Sequence, residues 1–399
     1  MYLRLLQLSG CGVNMQKRIV LISSNSSARG GGERYLVYLT QGMRCLGHEV
    51  HALLSDVRYM DGWLEALGAE GAVVSRRHLL GLRDRPLRFL QSIVDHKQIS
   101  SIANLCREIA PDAIVVNQQY DEDGLDYLAG ALAAQVAPVG GIMHLPMTRN
   151  KHQRPLGSLR GKLLSWWYCR HPYRLIFVSR GSQEEFESYY ACPRPTAVVN
   201  SGVPFREDPA VPPSLPIGWR DDNIPVVGFV GQFVLQKNLM LLVDGWLLAR
   251  GRGVECRLLL VGDGPTRPTL EKRLKDAAPS EMWHITGWQD QPENFFSVMD
   301  LYAMTSHFEG LPLSLVEAAG CALPAVVVNF NGAIDVGKRA AWVRVVEDTD
   351  AAAVGQALAA AIAELPSLKA QARAGRQAFR DYFSPERMAR DILAALGVG

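Results

Sequence analysis

A chain of 399 residues exceeds what one hydrophobic core comfortably serves, so two domains are expected. Apolar content of 48% with 21% charged residues is ordinary for a globular enzyme, and a net charge of +2 argues against a protein that holds nucleic acid by bulk electrostatic attraction. The seven cysteines (positions 11, 45, 106, 169, 192, 256 and 321) show no CxxC pair and no metal-ligand spacing, which fits reduced thiols in a cytosolic compartment; no apolar run approaches the ~18 residues of a membrane span.

The opening residues are too short and too quickly interrupted for a secretion signal, so 1–16 reads as a tail, with Met15 as an alternative start. Residues 19–23 read as a buried strand, and a glycine-rich turn containing Gly30, Gly31 and Gly32 follows. The spacing of Tyr35, Leu36, Leu39 and Met43 predicts a helix over 33–45 that stops at Gly47. Further strands are predicted at 50–54, 113–116, 139–143, 175–178 and 197–199. From 127 to 183 there is no Asp or Glu, yet eight Lys or Arg occur, and within it 159–168 is apolar and aromatic with basic flanks. A segment of that kind (149–174) can rest on an anionic membrane, or bury one face against the first sheet behind a basic rim; both readings stand at this point.

A linker is predicted at 203–225, where Pro204, Pro209, Pro212, Pro213 and Pro216 cluster. Strand signals then resume at 226–230, 257–261, 283–286, 301–304 and 325–328, a further helix is expected from Asp290, Pro292 and Glu293, and 351–396 is largely helical. Short apolar runs between amphipathic helices predict parallel sheets covered on both faces. The expected fold class is therefore α/β, with two doubly wound, Rossmann-like domains facing across a cleft. The divisions are a tail (1–16), a first domain (17–203), a linker (204–224), a second domain (225–382) and a C-terminal helix (383–399) placed to cross back to the first domain. In such sheets ligands sit beyond the carboxyl ends of the strands, which points to the cleft.

Four short motifs in the second half carry chemistry. A strand ends at Gly231, and after Gln232 a short loop brings Lys237 to a helix entry, where a lysine can meet a diphosphate. A second strand ends in the turn Gly262-Asp263-Gly264-Pro265; Pro265 and Arg267 stand where a dinucleotide fingerprint needs helix and glycine. A third ends at Ile285-Thr286-Gly287-Trp288 and can floor a base pocket. In the fourth, Glu309 ends an apolar run, Gly310, Leu311, Pro312 and Leu313 turn the chain into a short helix, and Glu317 follows on it. Pro312 suits the first turn of a helix, whose free N–H groups favour an anion. Two carboxylates beside an anion site can hold the hydroxyls of a sugar joined to a phosphate. Taken singly, a loop acid plus a surface helix acid is the plainer reading.

In order and spacing, the segment from 228 to about 328 resembles family 4 glycosyltransferases, the group 1 retaining enzymes of the GT-B fold: a G-x5-K loop, a V-G-D-G-P turn, an x-G-W strand end and an E-G-L-P-L-x-x-x-E-A element. In the first domain, 29–34 is similar to the family's G-G-x-E-R loop, and 177–179 and 199–203 match two further stations, so the resemblance covers most of 17–395. It implies that Glu309 lies against the donor sugar, Glu317 binds the nucleotide ribose and Lys237 the diphosphate. Backbone N–H groups of Gly310 to Leu313 would face the sugar and phosphate, and Gly30 to Gly32 would let backbone approach donor phosphate or acceptor. It also places His144, after the strand at 139–143, near the donor sugar, although a lone strand-end histidine is commonly structural. Gln232, Gly231, Gly262 and Ile285 complete the expected donor site.

The activity so implied is transfer of a sugar, with retention, from a UDP- or GDP-type nucleotide sugar to a saccharide or lipid-linked acceptor in cell-surface polysaccharide or lipopolysaccharide assembly. No cofactor or metal is expected, and the place is the cytoplasm, at the inner face of the membrane. Two departures keep other readings open. The family often has Arg where Gln232 stands, and its G-G-x-x-E segment is replaced by residues 331–335. A decayed saccharide-binding module is one alternative, and a nucleotide-sugar epimerase of the same fold is another. Asp121-Glu122-Asp123 is a D-x-D string like those that hold divalent cations in other glycosyltransferases; a helix follows it, so acids there also suit the helix dipole.

Overall fold

The computed structural model describes residues 15–23, 30–81, 94–146, 157–190, 196–205, 215–216, 219 and 223–399. In the first half β1 (Arg18–Ser23), α1 (Gly31–Cys45), β2 (Glu49–Ser55), α2 (Asp61–Ala69), β3 (Val73–Arg77), α3 (His96–Ile109), β4 (Ala113–Tyr120), α4 (Leu125–Ala134), β5 (Val139–Leu145), α5 (Gly157–Arg170), β6 (Arg174–Phe177), α6 (Arg180–Tyr190) and β7 (Thr196–Val198) follow one another. The strands pair in parallel in the order β3-β2-β1-β4-β5-β6-β7. Alternation along each strand decides which core a side chain joins. Ile19 and Leu21 pack on the face covered by α1, whereas Val20 and Ile22 face the other way, toward Ile102, Leu128 and Trp167.

The second half repeats the plan: β8 (Val226–Val230), α7 (Leu239–Gly251), β9 (Arg257–Val261), α8 (Arg267–Ala277), β10 (Trp283–Ile285), β11 (Leu301–Met304), α9 (Leu313–Gly320), β12 (Ala325–Val328), α10 (Ala333–Gly337) and β13 (Val343–Val346). Its parallel order is β10-β9-β8-β11-β12-β13. Strand order reverses between β1 and β4 in one sheet and between β8 and β11 in the other, and a doubly wound sheet binds ligands at such a switch point.

The helical tail divides into α11 (Ala351–Ala363), α12 (Leu365–Tyr382) and α13 (Pro385–Ala395). Pro366 in the first turn of α12 and Pro385 at the start of α13 fix the breaks, and the Ser384 hydroxyl accepts from Arg387 N–H at 3.3 Å to cap α13. That last helix lies on the first domain. The Pro385 carbonyl sits where a side chain on Gly42 of α1 would be, and Arg174 donates to the Ala395 carbonyl at 2.9 Å. Met388, Ile392 and Leu393 are buried there, a contribution of about 1.5–3 kcal/mol each, so one apolar cluster runs through both domains.

The sequence reading missed β3 and β13, both edge strands whose polar residues (Ser75, Arg76, Arg77; Arg344) break the apolar run. The helix expected near Asp290 is a 3-10 stretch, Pro292–Val298. Much of the proline-rich linker lies outside the described residues; its Trp219 is buried and donates to the Glu281 carbonyl at 3.1 Å, so this part packs on the second domain.

Candidate active site

The centre of the second domain is a loop-to-loop seam at its switch point. Beyond β8 the chain makes a 3-10 turn (Leu235–Lys237), and Asn238 takes a left-handed conformation that redirects it into α7. Beyond β11 runs the segment that carries Glu309. Three bonds staple the two loops: the Gln236 carbonyl accepts from His307 N–H (2.8 Å), Gln236 Nε2 donates to the Phe308 carbonyl (2.9 Å), and Thr305 Oγ1 donates to the Asn238 carbonyl (2.9 Å). So held, Lys237 Nζ meets Glu309 Oε1 at 2.6 Å, with the two side chains 17% and 9% exposed. Removing either partner leaves a poorly solvated charge, so the ammonium and carboxylate hold one another until a ligand offers an alternative. Pro312 stands just outside α9 as its N-cap, one position before the expected helical turn, and no side chain caps that end.

Glu317 points toward the first domain. Tyr38 of α1 donates its hydroxyl to Glu317 Oε1 at 3.0 Å. Burial pushes the Glu317 carboxyl above the ordinary carboxylate range, against the pull of Arg34 and the Tyr38 hydrogen bond. Burial, then the neighbouring Glu317, holds the Tyr38 phenol well above its usual value.

The glycine turns form a second strip along the carboxyl ends of β8, β9 and β10. Gly262 has φ +139°, and a side chain there would come within 1.9 Å of the Gly231 carbonyl oxygen, so the two turns touch only because one is glycine. Gly262 N–H donates to the Gly287 carbonyl at 3.1 Å, and Ile285 pairs with Leu260 in the edge strand beside it. Gln232 is half-buried on the loop that leaves Gly231, Leu311 is buried and Leu313 half-buried. Ile285 and Gly262 thus belong to this strip and not to the Lys237–Glu309 seam.

In the first domain, Gly30 precedes α1 as its N-cap, and Gly31 and Gly32 open the helix. His144 stands near the end of β5. Its Nε2 lies 2.7 Å from Asn117 Oδ1, and Tyr35 presents its ring edge-on at 4.7 Å. Burial drives its pKa down to about 4, which makes the ring neutral at physiological pH. The domains meet here: a side chain on Gly310 would lie 2.1 Å from the His144 carbonyl oxygen. Asn117 was missed by the sequence reading; the available signal was the polar Asn117-Gln118-Gln119 run ending an otherwise apolar central strand.

Residues 331–335, which depart from the family pattern, dock on the first domain. Asp335 Oδ2 accepts from Arg180 N–H at the start of α6 (2.7 Å) and from Asn200 Nδ2 (3.1 Å), and Asn331 Nδ2 donates to Glu185 Oε2 at 2.8 Å. The D-x-D string directly precedes α4, as expected. Its three acids are buried, with Asp121 accepting from the Tyr190 hydroxyl and Glu122 paired with Arg160. Among the described residues no group of three or more His, Cys, Asp or Glu is placed to hold a metal ion.

Known proteins resemble this chain across both domains. The profile of Glycosyltransferase Family 4 matches residues 29–207, and that of Glycosyl transferases group 1 matches 224–365. The amylovoran biosynthesis glycosyltransferase AmsD of Erwinia amylovora is 35% identical over 100 residues, 25% of this chain and 28% of that protein. The UDP-Gal:alpha-D-GlcNAc-diphosphoundecaprenol alpha-1,3-galactosyltransferase of Escherichia coli is 23% identical over 258 residues, 61% of this chain and 65% of the relative. The matched region thus spans under a third of AmsD and under two thirds of the galactosyltransferase. The crystal structure of Anabaena HepE with UDP and glucose superposes with a TM-score of 0.71 at 18% identity, covering 96% of this chain and all of that one. The chain belongs to the group 1, family 4 glycosyltransferases and has the GT-B fold.

Proposed function

We propose that this protein transfers a sugar, with retention of anomeric configuration, from a nucleotide-sugar donor of UDP or GDP type to a saccharide or lipid-linked acceptor of the cell surface. The observation that carries the reading is the Lys237–Glu309 pair at 2.6 Å, with Gly310 of the same loop against His144 of the opposite domain. A sugar–phosphate bond breaks with negative charge growing on the diphosphate and positive character on the anomeric carbon. Lys237 and the uncapped start of α9 answer the first, and Glu309 lies beside the second. Glu309 positions and polarises, the acceptor hydroxyl attacks on the face that the diphosphate leaves, and the departing phosphate oxygen takes its proton. Glu317 holds the ribose hydroxyls, and the strip of Gly231, Gly262 and Ile285 borders the nucleotide.

No step in this scheme calls for a metal ion, since Lys237 and backbone dipoles supply the positive field. A lipid-linked acceptor fits the exposed side of α5, where Leu159, Leu163 and Trp166 lie 55%, 37% and 53% exposed and Lys162 and Arg170 accompany them. The helix buries its opposite side through Leu164, Trp167 and Tyr168, as packing against the first sheet requires, and its exposed side supports the membrane reading; positions 149–156 lie outside the described residues. We place the enzyme in the cytoplasm, against the anionic inner face of the membrane. The HepE complex with UDP and glucose and the galactosyltransferase named for a diphosphoundecaprenol acceptor support the donor and acceptor classes. The test is incubation with UDP- and GDP-sugars, with and without lipid-extracted acceptors, and NMR of the product. A new glycosidic bond with the donor's anomeric configuration is expected. Inversion refutes the retaining step, and an isomerised donor formed without acceptor favours the epimerase.

A further inference from the structure

Asn117 sits fully buried near the end of β4, and its amide joins three elements. Nδ2 lies 3.3 Å from the Gly32 carbonyl at the start of α1 and 3.2 Å from Ser23 Oγ at the end of β1; Oδ1 lies 2.7 Å from His144 Nε2 at the end of β5. A carbonyl only accepts, so the atom facing Gly32 is the NH2 group and the atom facing His144 is the oxygen. An amide oxygen also only accepts, so the imidazole nitrogen facing it carries the hydrogen. A neutral imidazole has one N–H, which leaves Nδ1 with its lone pair, and among the described residues Nδ1 has no hydrogen-bond partner. Tyr35 fixes the ring plane from the side, and the backbone of Gly310 closes over the residue from the second domain.

Resting on the donor-site reading above, we propose that Asn117 is a positioning residue that locks His144 as its Nε2–H tautomer, so that His144 presents Nδ1 as a hydrogen-bond acceptor to a hydroxyl of the donor sugar. The same amide grips the carbonyl of Gly32, so the glycine turn and the histidine are set by one side chain. The alternative tautomer would place two lone pairs face to face at 2.7 Å, a repulsive contact at a partly buried position. A neutral histidine ring leans only modestly toward Nε2–H by itself; the amide makes that form the one the folded site holds. His144 then acts as an acceptor and not as an acid.

The experiment is two-bond 1H–15N correlation NMR on protein labelled at histidine, with the His144 signals assigned by their loss in His144→Gln. The expected result for the wild type at neutral pH is a pyridine-like shift on Nδ1 and a protonated Nε2. A pyridine-like Nε2, or a ring protonated on both nitrogens, overturns the inference. Asn117→Asp puts a carboxylate on Nε2–H and is expected to raise the His144 titration midpoint by about one pH unit or more; an unchanged midpoint overturns it. Asn117→Leu is expected to mix the tautomers and lower kcat on the order of tenfold, the value of one hydrogen bond, with nucleotide affinity held within about twofold. Should this variant fail to fold, the wild-type and Asp arms still decide. Finally, whichever UDP- or GDP-sugar binds, but not its free nucleoside diphosphate, is expected to move the Nδ1 signal. Heat from such a donor in calorimetry without that movement overturns the acceptor role, whereas no heat from any UDP- or GDP-sugar overturns the donor-site reading and leaves the tautomer result standing by itself.

Discussion

Gly310→Ala isolates closure of the two domains as a variable. The glycine does not have positive φ, so alanine fits its backbone without strain. The new methyl would come 2.1 Å from the His144 carbonyl oxygen and 3.1 Å from a Val178 methyl. A carbon and a carbonyl oxygen approach to about 3.3 Å, so the facing segments must part by roughly 1.2 Å, and the closest obstacle is backbone and not a side chain able to swing aside. A misplacement of about 1 Å between reacting groups lowers rate by around 100-fold. Because the strain is relieved by moving whole domains, stability should fall by only about 1 kcal/mol or less. The assay is kcat for sugar transfer beside thermal unfolding, with Gly251→Ala as control, since that glycine has no neighbour within 4 Å of a new methyl. A Gly310→Ala enzyme that turns over within about threefold of wild type refutes the requirement for this approach.

Other consequences are as direct. Asp335→Ala removes two acceptor contacts across the domain boundary and should favour an open form, read as a larger radius of gyration in solution scattering and a KM raised several-fold. Tyr38→Phe withdraws a donor from a buried carboxylate whose pKa is already raised, so it should lose about 1–3 kcal/mol at neutral pH. That deficit should shrink as pH falls through the folded-state pKa of Glu317, because protonation removes the buried charge; unfolding curves at two pH values check it. His144 titrates at about 4 when folded against 6.5 unfolded, so the unfolded chain binds the extra proton and stability should drop as pH falls between those values, a drop absent from His144→Gln. Trp246→Ala, at a fully buried position on α7, should cost about 3–5 kcal/mol by chemical denaturation.

The sequence carries the central strands plainly, because 226–230 and 258–261 are buried on both faces and so read as unbroken apolar runs. Edge strands escape the same test: β3 is polar and exposed on one side, and no local pattern distinguishes it from loop. The Lys237 and Glu309 motifs were legible one at a time, but their ion pair spans 72 residues and depends on β8 and β11 being neighbours. The same holds for Tyr38 on Glu317, 279 residues apart. Residues 331–335 looked like erosion of a pattern, and only the position of α6 shows Asp335 engaged with the other domain. Asn117 was hidden because a polar run ending a strand gives no hint of which loops will converge on it.

The most direct test of the donor site is calorimetric titration of UDP, GDP and ADP in the presence of a metal chelator, on the wild type and on Lys237→Ala. The structure predicts that one nucleotide binds without metal and that the variant, still folded by its thermal transition, loses about 10- to 100-fold in affinity, the worth of a charge-assisted hydrogen bond. Binding of no nucleotide, or equal binding by both proteins, contradicts the assignment of Lys237 and Glu309 to the donor diphosphate and sugar.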